Sequence, residues 1–497
     1  MASVTVAALT LVVALAQLRF LLLCLFAPRL KTAGSAPLTG AELPKVALQI
    51  ATFREARALP EVLTAALRLD WPRDRLTVQI LDDSTGADAA ATDAVVASFR
   101  AAGLPCEILR RVSREGFKAG ALNHGLRHAG QAEAIAYCDA DCRLAPDFLR
   151  RAWNGLQDPA VAAVQTFWSY PNGGASPLTA AQEAAFLYLF RFDYEPRAVL
   201  GLPVYYLGSS ALWKRAAIDQ LDGFAEQPFT AEDVDLSFRA AAAGWRIACL
   251  PAALSEDDAL VDVLTFRAQQ RRWARAVGRA VFDAAPGIFA RRASLRAALL
   301  ERTAWLPHAS IPLFLGATLA LAIAMLLGPS GQAIWSAWVL TLCYLASPGL
   351  LALVLAVRTY RPDVWQKRVL LLLRAGPVAA ATMTSFVFGL IDLLSAARAE
   401  FVVTSKRGER PVLRGSTRSW LTSHLAPLVC DLLFAAILIS GAIAAVLSRN
   451  WIAAIPTALL GVWFIEAFGQ GVKAWWTLRQ SDSDRAPTTL DLSRAPR

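Results

Sequence analysis

Three acidic clusters in the first half of the chain carry residue types that could do chemistry. They are Asp82-Asp83, the pair Asp139 and Asp141, and Glu232-Asp233. Aspartates two residues apart at the end of a strand can hold a hard divalent cation, whose remaining positions are taken by phosphate oxygens. Each cluster alone is also typical of a solvated turn or of an acidic helix start. The chemistry therefore depends on their order and on the elements that position them.

A basic helical stretch, "QQRRWARAVGRA" (269–280), follows the acidic clusters and places a tryptophan among arginines. It could lie on a membrane surface, bind nucleic acid or belong to an active site. The basic clusters of this chain border apolar segments, as in the loops of membrane proteins. No base-stacking module accompanies them, so the sequence indicates no nucleic-acid partner.

The elements that must position the carboxylates are short strands alternating with helices. "KVALQIATF", "LTVQILDDS" and "EAIAYCDADC" are apolar runs that end in polar turns, and helical stretches cover 55–69 and 118–130. This alternation predicts an α/β domain with a mainly parallel sheet over 45–285. Function in such sheets lies at the carboxyl ends of the strands, where two of the acidic clusters fall.

The composition predicts a membrane protein. Of 497 residues, 56% are hydrophobic, and the net charge is +10. The predicted segments are an N-terminal anchor (1–30), the α/β domain (45–285), an interfacial connector (286–306), two transmembrane helices (307–357), an interfacial or re-entrant helix with a loop (358–420), two transmembrane helices (421–478) and a disordered tail (479–497). The apolar stretch 369–394 is assigned to the interface because both of its flanks are basic. The charge pattern places the α/β domain on the cytoplasmic side of the cell membrane.

The seven cysteines are odd in number and scattered, which does not fit a disulfide framework. A reducing compartment is therefore expected for the soluble part. Cys138 and Cys142 flank the "DAD" tripeptide, and without a second Cys/His pair nearby they are interpreted as buried thiols.

Taken in order, the motifs resemble those of the family-two inverting nucleotide-sugar glycosyltransferases, over about residues 45–280. The resemblance implies a GT-A-like fold and donor contacts from Thr52 and Glu55 in "ATFRE", Asp82 and Asp83 in "LDDS", Lys118 in "REGFKAGALNHGL", Asp139 in "DAD", and Arg272 in "QQRRW". It also implies a divalent cation, Mg²⁺ or Mn²⁺, on Asp139 and Asp141. The general base falls on Asp233, next to Glu232, in "TAEDVDLSFRA".

Within that family the chain is most similar to the cellulose-synthase-like mannan and glucomannan synthases. "LRLDWPRDRLTVQILDDST" is very similar to their corresponding stretch, and "QTFWSYPN" resembles their acceptor-side segment, with Gln165 and Trp168. "AEFVVTSKRG" resembles the gating loop of membrane β-glucan synthases, which implies that Thr404 and Lys406 lie near the donor. One departure is Gly208-Ser209-Ser210, where the mannan synthases have an Asn-Gly-Thr type of turn. Donor preference therefore stays open between GDP-mannose and UDP-glucose.

The resemblance implies processive transfer to the non-reducing end of a β-linked polysaccharide, with export through the chain's own helices. Acceptor contacts are expected from Trp273, Gln269, Gln270 and Trp168, since flat aromatic rings suit sugar faces. Asp233 can take the proton of the acceptor hydroxyl, and the Arg272 fork matches phosphate oxygens. The alternative is a non-processive membrane glycosyltransferase that makes a glycolipid. A transporter with a degenerate catalytic domain is disfavoured by the intact carboxylates.

Overall fold

The computed structural model of the chain describes residues 43–226, 232–290, 351–394 and 424–483, with scattered positions between 311 and 326. Several predicted features lie outside the described residues. They are the anchor over 1–30, most of the connector 286–306 and of the helices in 307–357, the loop that contains Thr404 and Lys406, and the tail beyond 483.

A single mixed sheet forms the centre of the α/β domain. Its strands, in chain order, are β1 (Val46–Thr52), β2 (Leu76–Asp82), β3 (Cys106–Leu109), β4 (Ala134–Asp139), β5 (Arg143–Leu144), β6 (Val161–Ser169), β7 (Ala211–Lys214) and β8 (Arg246–Glu256). Within the described part of the chain they form an eight-stranded sheet in the order β3-β2-β1-β4-β7-β6-β8-β5. β1 to β4 pair in parallel, as do β6 and β8, whereas β7 and β5 run antiparallel to their neighbours. The prediction of an α/β fold with a mainly parallel sheet is confirmed.

The helices cover both faces of the sheet. In chain order they are α1 (Leu59–Leu67), α2 (Gly86–Ala101), α3 (Phe117–His128), α4 (Phe148–Gly155), α5 (Pro177–Leu189), α6 (Glu195–Val199), α7 (Arg215–Gln220), α8 (Glu232–Ala242) and α9 (Val263–Ala290). One apolar core surrounds Trp71 and Phe99, and a second surrounds Tyr137 and Trp213. Burial on both faces explains why the strands read as nearly continuous apolar runs. Cys138 and Cys142 are buried free thiols, as predicted.

The register of the central strands brings three predicted site residues to one edge. Thr52 at the end of β1 stands opposite Asp82 at the end of β2. Ala51 stands opposite Asp139 at the end of β4. Because these strands are parallel, their carboxyl ends meet, as expected for ligand sites in α/β sheets.

The remaining helices are mostly apolar. They are α10 (Leu351–Tyr360), α11 (Trp365–Leu372), α12 (Gly376–Leu394), α13 (Ala426–Leu447) and α14 (Trp451–Ser483). By length and composition, three described helical segments could cross a membrane: Gly376–Leu393, Ala426–Leu447 and Trp451–Thr477. The last two coincide with the pair predicted in 421–478. The first belongs to the stretch expected at the interface, and its interfacial placement stays a prediction.

Helix α9 leaves the α/β domain and packs closely against α12. A Cβ added to Gly389 of α12 would lie 2.7 Å from both the Cβ of Ala274 and the carbonyl oxygen of Arg271. Only glycine lets the two backbones approach this closely. The helix that carries "QQRRW" is therefore held directly against the apolar helices.

Candidate active site

Lys118 connects three segments that are distant in the sequence. Its Nζ donates to Asp139 Oδ1 at 2.6 Å and to the carbonyl oxygen of Gly208 at 3.0 Å. It also lies 3.5 Å from Glu232 Oε1 at the start of α8. Burial alone would lower the pKa of the Lys118 ammonium, but the charges of Asp139 and Glu232 outweigh burial and raise it. Lys118 is therefore a fixed positive charge at the edge of the sheet.

Asp233 faces the same turn. A Cβ added to Gly208 would lie 3.1 Å from Asp233 Oδ2 and 3.6 Å from Lys118 Nζ. Gly208 also has φ +81°, a conformation that L side chains rarely adopt. Burial and the neighbouring Glu232 raise the pKa of Asp233 to about 7, while Lys118 acts in the opposite direction. A carboxyl group with that pKa is suited to accept a proton near neutral pH.

Arg272 brings α9 into the same cluster. Its guanidinium interacts electrostatically with Glu232, Asp139, Asp233 and Glu55. Burial lowers the pKa of Arg272 and these carboxylates raise it, but the group stays charged at any working pH. Predicted residues of the donor, base and "QQRRW" motifs thus lie together at one end of the sheet.

Asp82 and Asp83 are held by arginines from the loop that follows β3. The fully buried Asp82 accepts from Arg110 Nη2 at 2.8 Å and from the Ser84 amide at 3.0 Å. Asp83 accepts from Arg111 Nε at 2.9 Å. In this arrangement Asp82 orders the loop, and direct contact of either aspartate with a nucleotide stays a prediction. The basic run "RRVSR" (110–114) concentrates positive charge in this loop, but it does not specify which carboxylates the arginines meet.

An aromatic ring and a guanidinium stack beside these aspartates. The Arg114 guanidinium carbon lies 3.5 Å from the centroid of the Phe53 ring. Arg114 Nε is also 3.8 Å from Asp83 Oδ2. Phe53 directly follows β1, so the planar pair stands at the same sheet edge as Thr52. Neither Phe53 nor Arg114 was predicted from the sequence as a site residue.

The predicted metal ligands are Asp139 and Asp141. Asp139 Oδ1 accepts from Lys118, its backbone amide donates to Ser209 Oγ at 3.0 Å, and its side chain is 42% exposed. The described residues contain no group of three or more His, Cys, Asp or Glu side chains arranged to hold a metal. Two carboxylates are enough protein ligands for a Mg²⁺-like ion, which takes its other ligands from substrate phosphates and water. The metal site on Asp139 and Asp141 stays a prediction.

Gln165 holds the turn at 207–210 by hydrogen bonds to its backbone. It is fully buried; its Oε1 accepts from the Leu207 amide at 2.9 Å, and its Nε2 donates to the Ser209 carbonyl at 3.0 Å. The expectation that Gln165 belongs to the acceptor side is therefore wrong, because no part of the side chain is exposed. Its contacts instead fix the turn whose Gly208 faces Asp233.

Trp168 packs on Phe186, with ring centroids 4.1 Å apart and planes inclined by 33°. Its buried indole N–H has no hydrogen-bond partner among the residues that the structure describes. A buried tryptophan usually finds such a partner. The role of Trp168 toward an acceptor stays a prediction.

The residues of "QQRRW" point in different directions. Gln270 is 9% exposed and Gln269 is half-buried, whereas Trp273 is 47% exposed. From the sequence, Arg271 could belong either to the active site or to the membrane surface. In the structure it pairs with Asp392 of α12 through Nε at 2.6 Å and Nη2 at 2.7 Å. Acceptor contacts from Gln269, Gln270 and Trp273 stay predictions.

Sequence comparisons relate this chain to known glycosyltransferases. The family described as "Glycosyl transferase family group 2" matches residues 134–356. Glucomannan 4-beta-mannosyltransferase 7 of Arabidopsis thaliana is 31% identical over 239 residues, which are 47% of this chain and 42% of that protein. Probable glucomannan 4-beta-mannosyltransferase 6 of Oryza sativa subsp. japonica is 34% identical over 239 residues, 47% of this chain and 41% of that protein. The chain thus matches less than half the length of these relatives.

A solved structure shows the same fold. It is the mannosyltransferase PcManGT from Pyrobaculum calidifontis in complex with GDP-Man and Mn²⁺, with a TM-score of 0.55 and 22% sequence identity. The match covers 78% of this chain and 99% of that one. The α/β domain therefore has a GT-A-like glycosyltransferase fold, joined here to apolar helices that could span a membrane.

Proposed function

We propose that this chain, whose α/β domain is related to the family-two glycosyltransferases of the cellulose-synthase-like mannan synthases, extends a β-linked polysaccharide from a nucleotide sugar. The observation that carries the proposal is the convergence of Lys118, Asp139, Asp233 and Arg272 at one edge of the sheet. The names of the relatives favour a mannosyl donor, GDP-mannose, over UDP-glucose.

Asp233 is the general base of the proposed reaction. Its pKa, raised to about 7 by burial and by Glu232, leaves much of it ionised at neutral pH and basic enough to take a proton. The acceptor hydroxyl loses its proton to Asp233 and attacks the anomeric carbon opposite the departing nucleoside diphosphate. One displacement of this kind inverts the anomeric configuration and needs no covalent intermediate.

Arg272 and Lys118 stabilise the leaving diphosphate. Both cations already stand among carboxylates at the edge of the sheet, so they need little rearrangement during the reaction. A divalent cation, Mg²⁺ or Mn²⁺, would be held by Asp139 and Asp141, and it supplies further neutralisation of the diphosphate charge when bound. The GDP-Man and Mn²⁺ of the solved mannosyltransferase support this class of donor and cation.

The base and ribose of the donor bind beside the ends of β1 and β2, near Thr52, Glu55 and Asp83. The stacked Phe53 and Arg114 border this region and offer flat surfaces to a nucleobase. Asp82 acts there through its contacts with Arg110 and the Ser84 amide, which order the loop. Thr404 and Lys406, which lie outside the described residues, are proposed to lie near the donor.

Trp273 and Trp168 are proposed to hold the acceptor sugar, assisted by Gln269 and Gln270. Helix α9 joins this end of the site to α12. In this proposal the growing chain passes from the site toward the apolar helices and is exported through the membrane. The α/β domain stands on the cytoplasmic side in this proposal. The alternative, transfer of single sugars to a lipid, shares the same donor site.

The test is sugar incorporation by the purified chain in detergent. GDP-mannose, UDP-glucose, UDP-N-acetylglucosamine and UDP-galactose, each radiolabelled, are supplied with Mg²⁺ or Mn²⁺, and the products are sized. We expect polymer from one donor and about a thousandfold lower rate for Asp233→Asn. The matched control is Asp70→Asn, which changes an exposed partner of Arg150 at the surface.

Wild-type incorporation by Asp233→Asn would disprove the role of the base. Products that contain only one sugar on a lipid would favour the alternative. If the purified chain incorporates sugar from none of the four donors, the proposed activity is wrong.

A further inference from the structure

Two arginines on one face of α9 tie it to the apolar helices. Arg267 Nη2 pairs with Asp431 Oδ2 of α13. One turn later, Arg271 makes two hydrogen bonds with Asp392 of α12. Residues four apart share a face of a helix, so both anchors pull on the same side of α9.

The Arg267 anchor is deeply buried. Arg267 is 5% exposed and Asp431 is 0% exposed. The other oxygen of Asp431 accepts from Thr384 Oγ1 at 2.5 Å, and Arg267 Nη2 lies 3.5 Å from the carbonyl oxygen of Ala467. This buried polar cluster (Arg267, Asp431 and Thr384) therefore joins α9 to α12, α13 and α14 at one point.

Stability alone does not account for this cluster. Arg267 Nε and Nη1 are buried and have no hydrogen-bond partner among the described residues. In a buried ion pair with unmet donors, the attraction between the charges offsets little of the cost of removing them from water. Apolar residues in place of such a pair often give a protein that is equally stable. An aspartate within an apolar helix that could cross a membrane is costly and usually marks a functional position.

The cluster lies close along α9 to a proposed catalytic group. An α-helix turns about 100° per residue, so Arg272 leaves α9 on a different side from Arg267 and Arg271. That side faces Glu232, Asp139 and Asp233. Any rotation of α9 about its axis would move Arg272 relative to the carboxylates, and the anchors on the other side oppose such a rotation.

We propose that Arg267, Asp431 and Thr384 are positioning residues, which fix the rotation of α9 so that Arg272 meets the donor diphosphate. The inference rests on the proposed glycosyl transfer and adds a mechanical link between the site and the apolar helices. Arg271 and Asp392, each with a side chain 19% exposed, form the weaker anchor because solvent screens their attraction.

The experiment compares purified Asp431→Asn, Thr384→Val and Arg267→Lys with wild type, with Asp70→Asn as the surface control. Initial rates give kcat and donor KM. They are measured at a temperature well below the unfolding midpoint of each variant, so that only folded enzyme contributes. Asp431→Asn should lower kcat about tenfold and change donor KM less than about threefold, because the interaction lost acts on the transition state. Arg267→Lys keeps the positive charge, so its kcat should stay closer to that of wild type than the kcat of Asp431→Asn.

A folded Asp431→Asn enzyme with kcat within twofold of wild type would overturn the proposal. Should that variant fail to fold, Thr384→Val decides, because it removes only the hydroxyl that donates to Asp431 and to the Ala380 carbonyl oxygen and leaves the ion pair intact. About a threefold loss of kcat supports the proposal, and an unchanged kcat overturns it.

A readout independent of activity separates this inference from the proposed function. Amide hydrogen exchange in α9 between residues 268 and 276 should become about tenfold faster in a folded cluster variant, with β1 unchanged. Equal exchange rates in α9 would refute the anchoring role. Absence of transfer by wild type would refute only the proposed function.

Discussion

The candidate active site and the contact around Glu183, where the α/β domain meets the helices that follow it, balance charge in opposite ways. At the site, several carboxylates share a cation. Lys118 lies 2.6 Å from Asp139 and 3.5 Å from Glu232. Asp233 stands in the same group, and the charge of Glu232 is one cause of its raised pKa. An added positive charge or a departing anion therefore changes the electrostatic energy of the site strongly.

At the contact around Glu183, two cations share one carboxylate. Glu183 of α5 is 2% exposed and pairs with Arg361 at 2.7 Å and with Arg368 at 2.6 Å. Such an arrangement holds segments together and offers nothing to a substrate. Similar ion pairs therefore have different roles, according to which charge is in excess. Substitutions at the site should change the rate, and those around Glu183 should change stability.

The largest expected effect in this comparison comes from Lys118→Met. Removing the ammonium leaves Asp139 and Glu232 without the cation they share and takes one positive charge from the leaving diphosphate. We expect kcat to fall about a hundredfold, in the range seen when one electrostatic contact to a transition state is lost. Initial rates with saturating donor measure the change.

The same variant has a second signature. Because the Lys118 charge lowers the pKa of Asp233, its removal should raise that pKa and move the acidic limb of the pH–rate profile to higher pH. A variant with the wild-type profile would show that Lys118 does not act on the base. Asp70→Asn again provides the surface control.

The pH dependence of the wild-type enzyme gives the next largest effect. Asp233 must be ionised to accept a proton, and its pKa is raised to about 7. The base form is therefore lost as the pH falls through that value. Between pH 8 and pH 6 the rate should drop about tenfold, as for a single titrating base. A flat profile over this range would exclude Asp233 as the base with this pKa.

The sequence was sufficient to predict the sheet edge and the residues that meet there. Apolar runs ending in acidic residues located β2 and β4, and the parallel register then placed Asp82 and Asp139 beside β1. The motifs also indicated Lys118 and Arg272, which do converge with Glu232. These features are local in sequence, or follow from the general rule that parallel strands end together.

The arginine partners could not be predicted, because they depend on how distant segments pack. Arg110 and Asp82 are 28 residues apart, and Arg271 and Asp392 are 121 apart. Nothing in the local pattern around either residue specifies such a pair. Gln165 was misassigned for a similar reason, since its burial under the 207–210 turn comes from the assembled sheet.

The smallest expected effect on the rate comes from Glu183→Gln. Glutamine keeps the shape of the side chain but leaves Arg361 and Arg368 beside a neutral group in a buried place. The loss should lower the free energy of unfolding by about 2 kcal/mol or more, because an uncompensated buried charge is costly. Thermal unfolding in detergent measures this change, while kcat of the folded enzyme should stay within about twofold of wild type.

The rate of Glu183→Gln can contradict the proposed difference between the two charge arrangements. A folded Glu183→Gln enzyme that lost as much rate as Lys118→Met would mean that the contact around Glu183 is not limited to stability. Gly174 offers a matched steric test, because the Arg368 guanidinium passes directly over it where a Cβ would stand. Gly174→Ala should displace that arginine from Glu183 and reproduce the loss of stability without a loss of kcat. Equal stability of both variants and wild type would mean that the pairs around Glu183 contribute little to holding the helices on the domain.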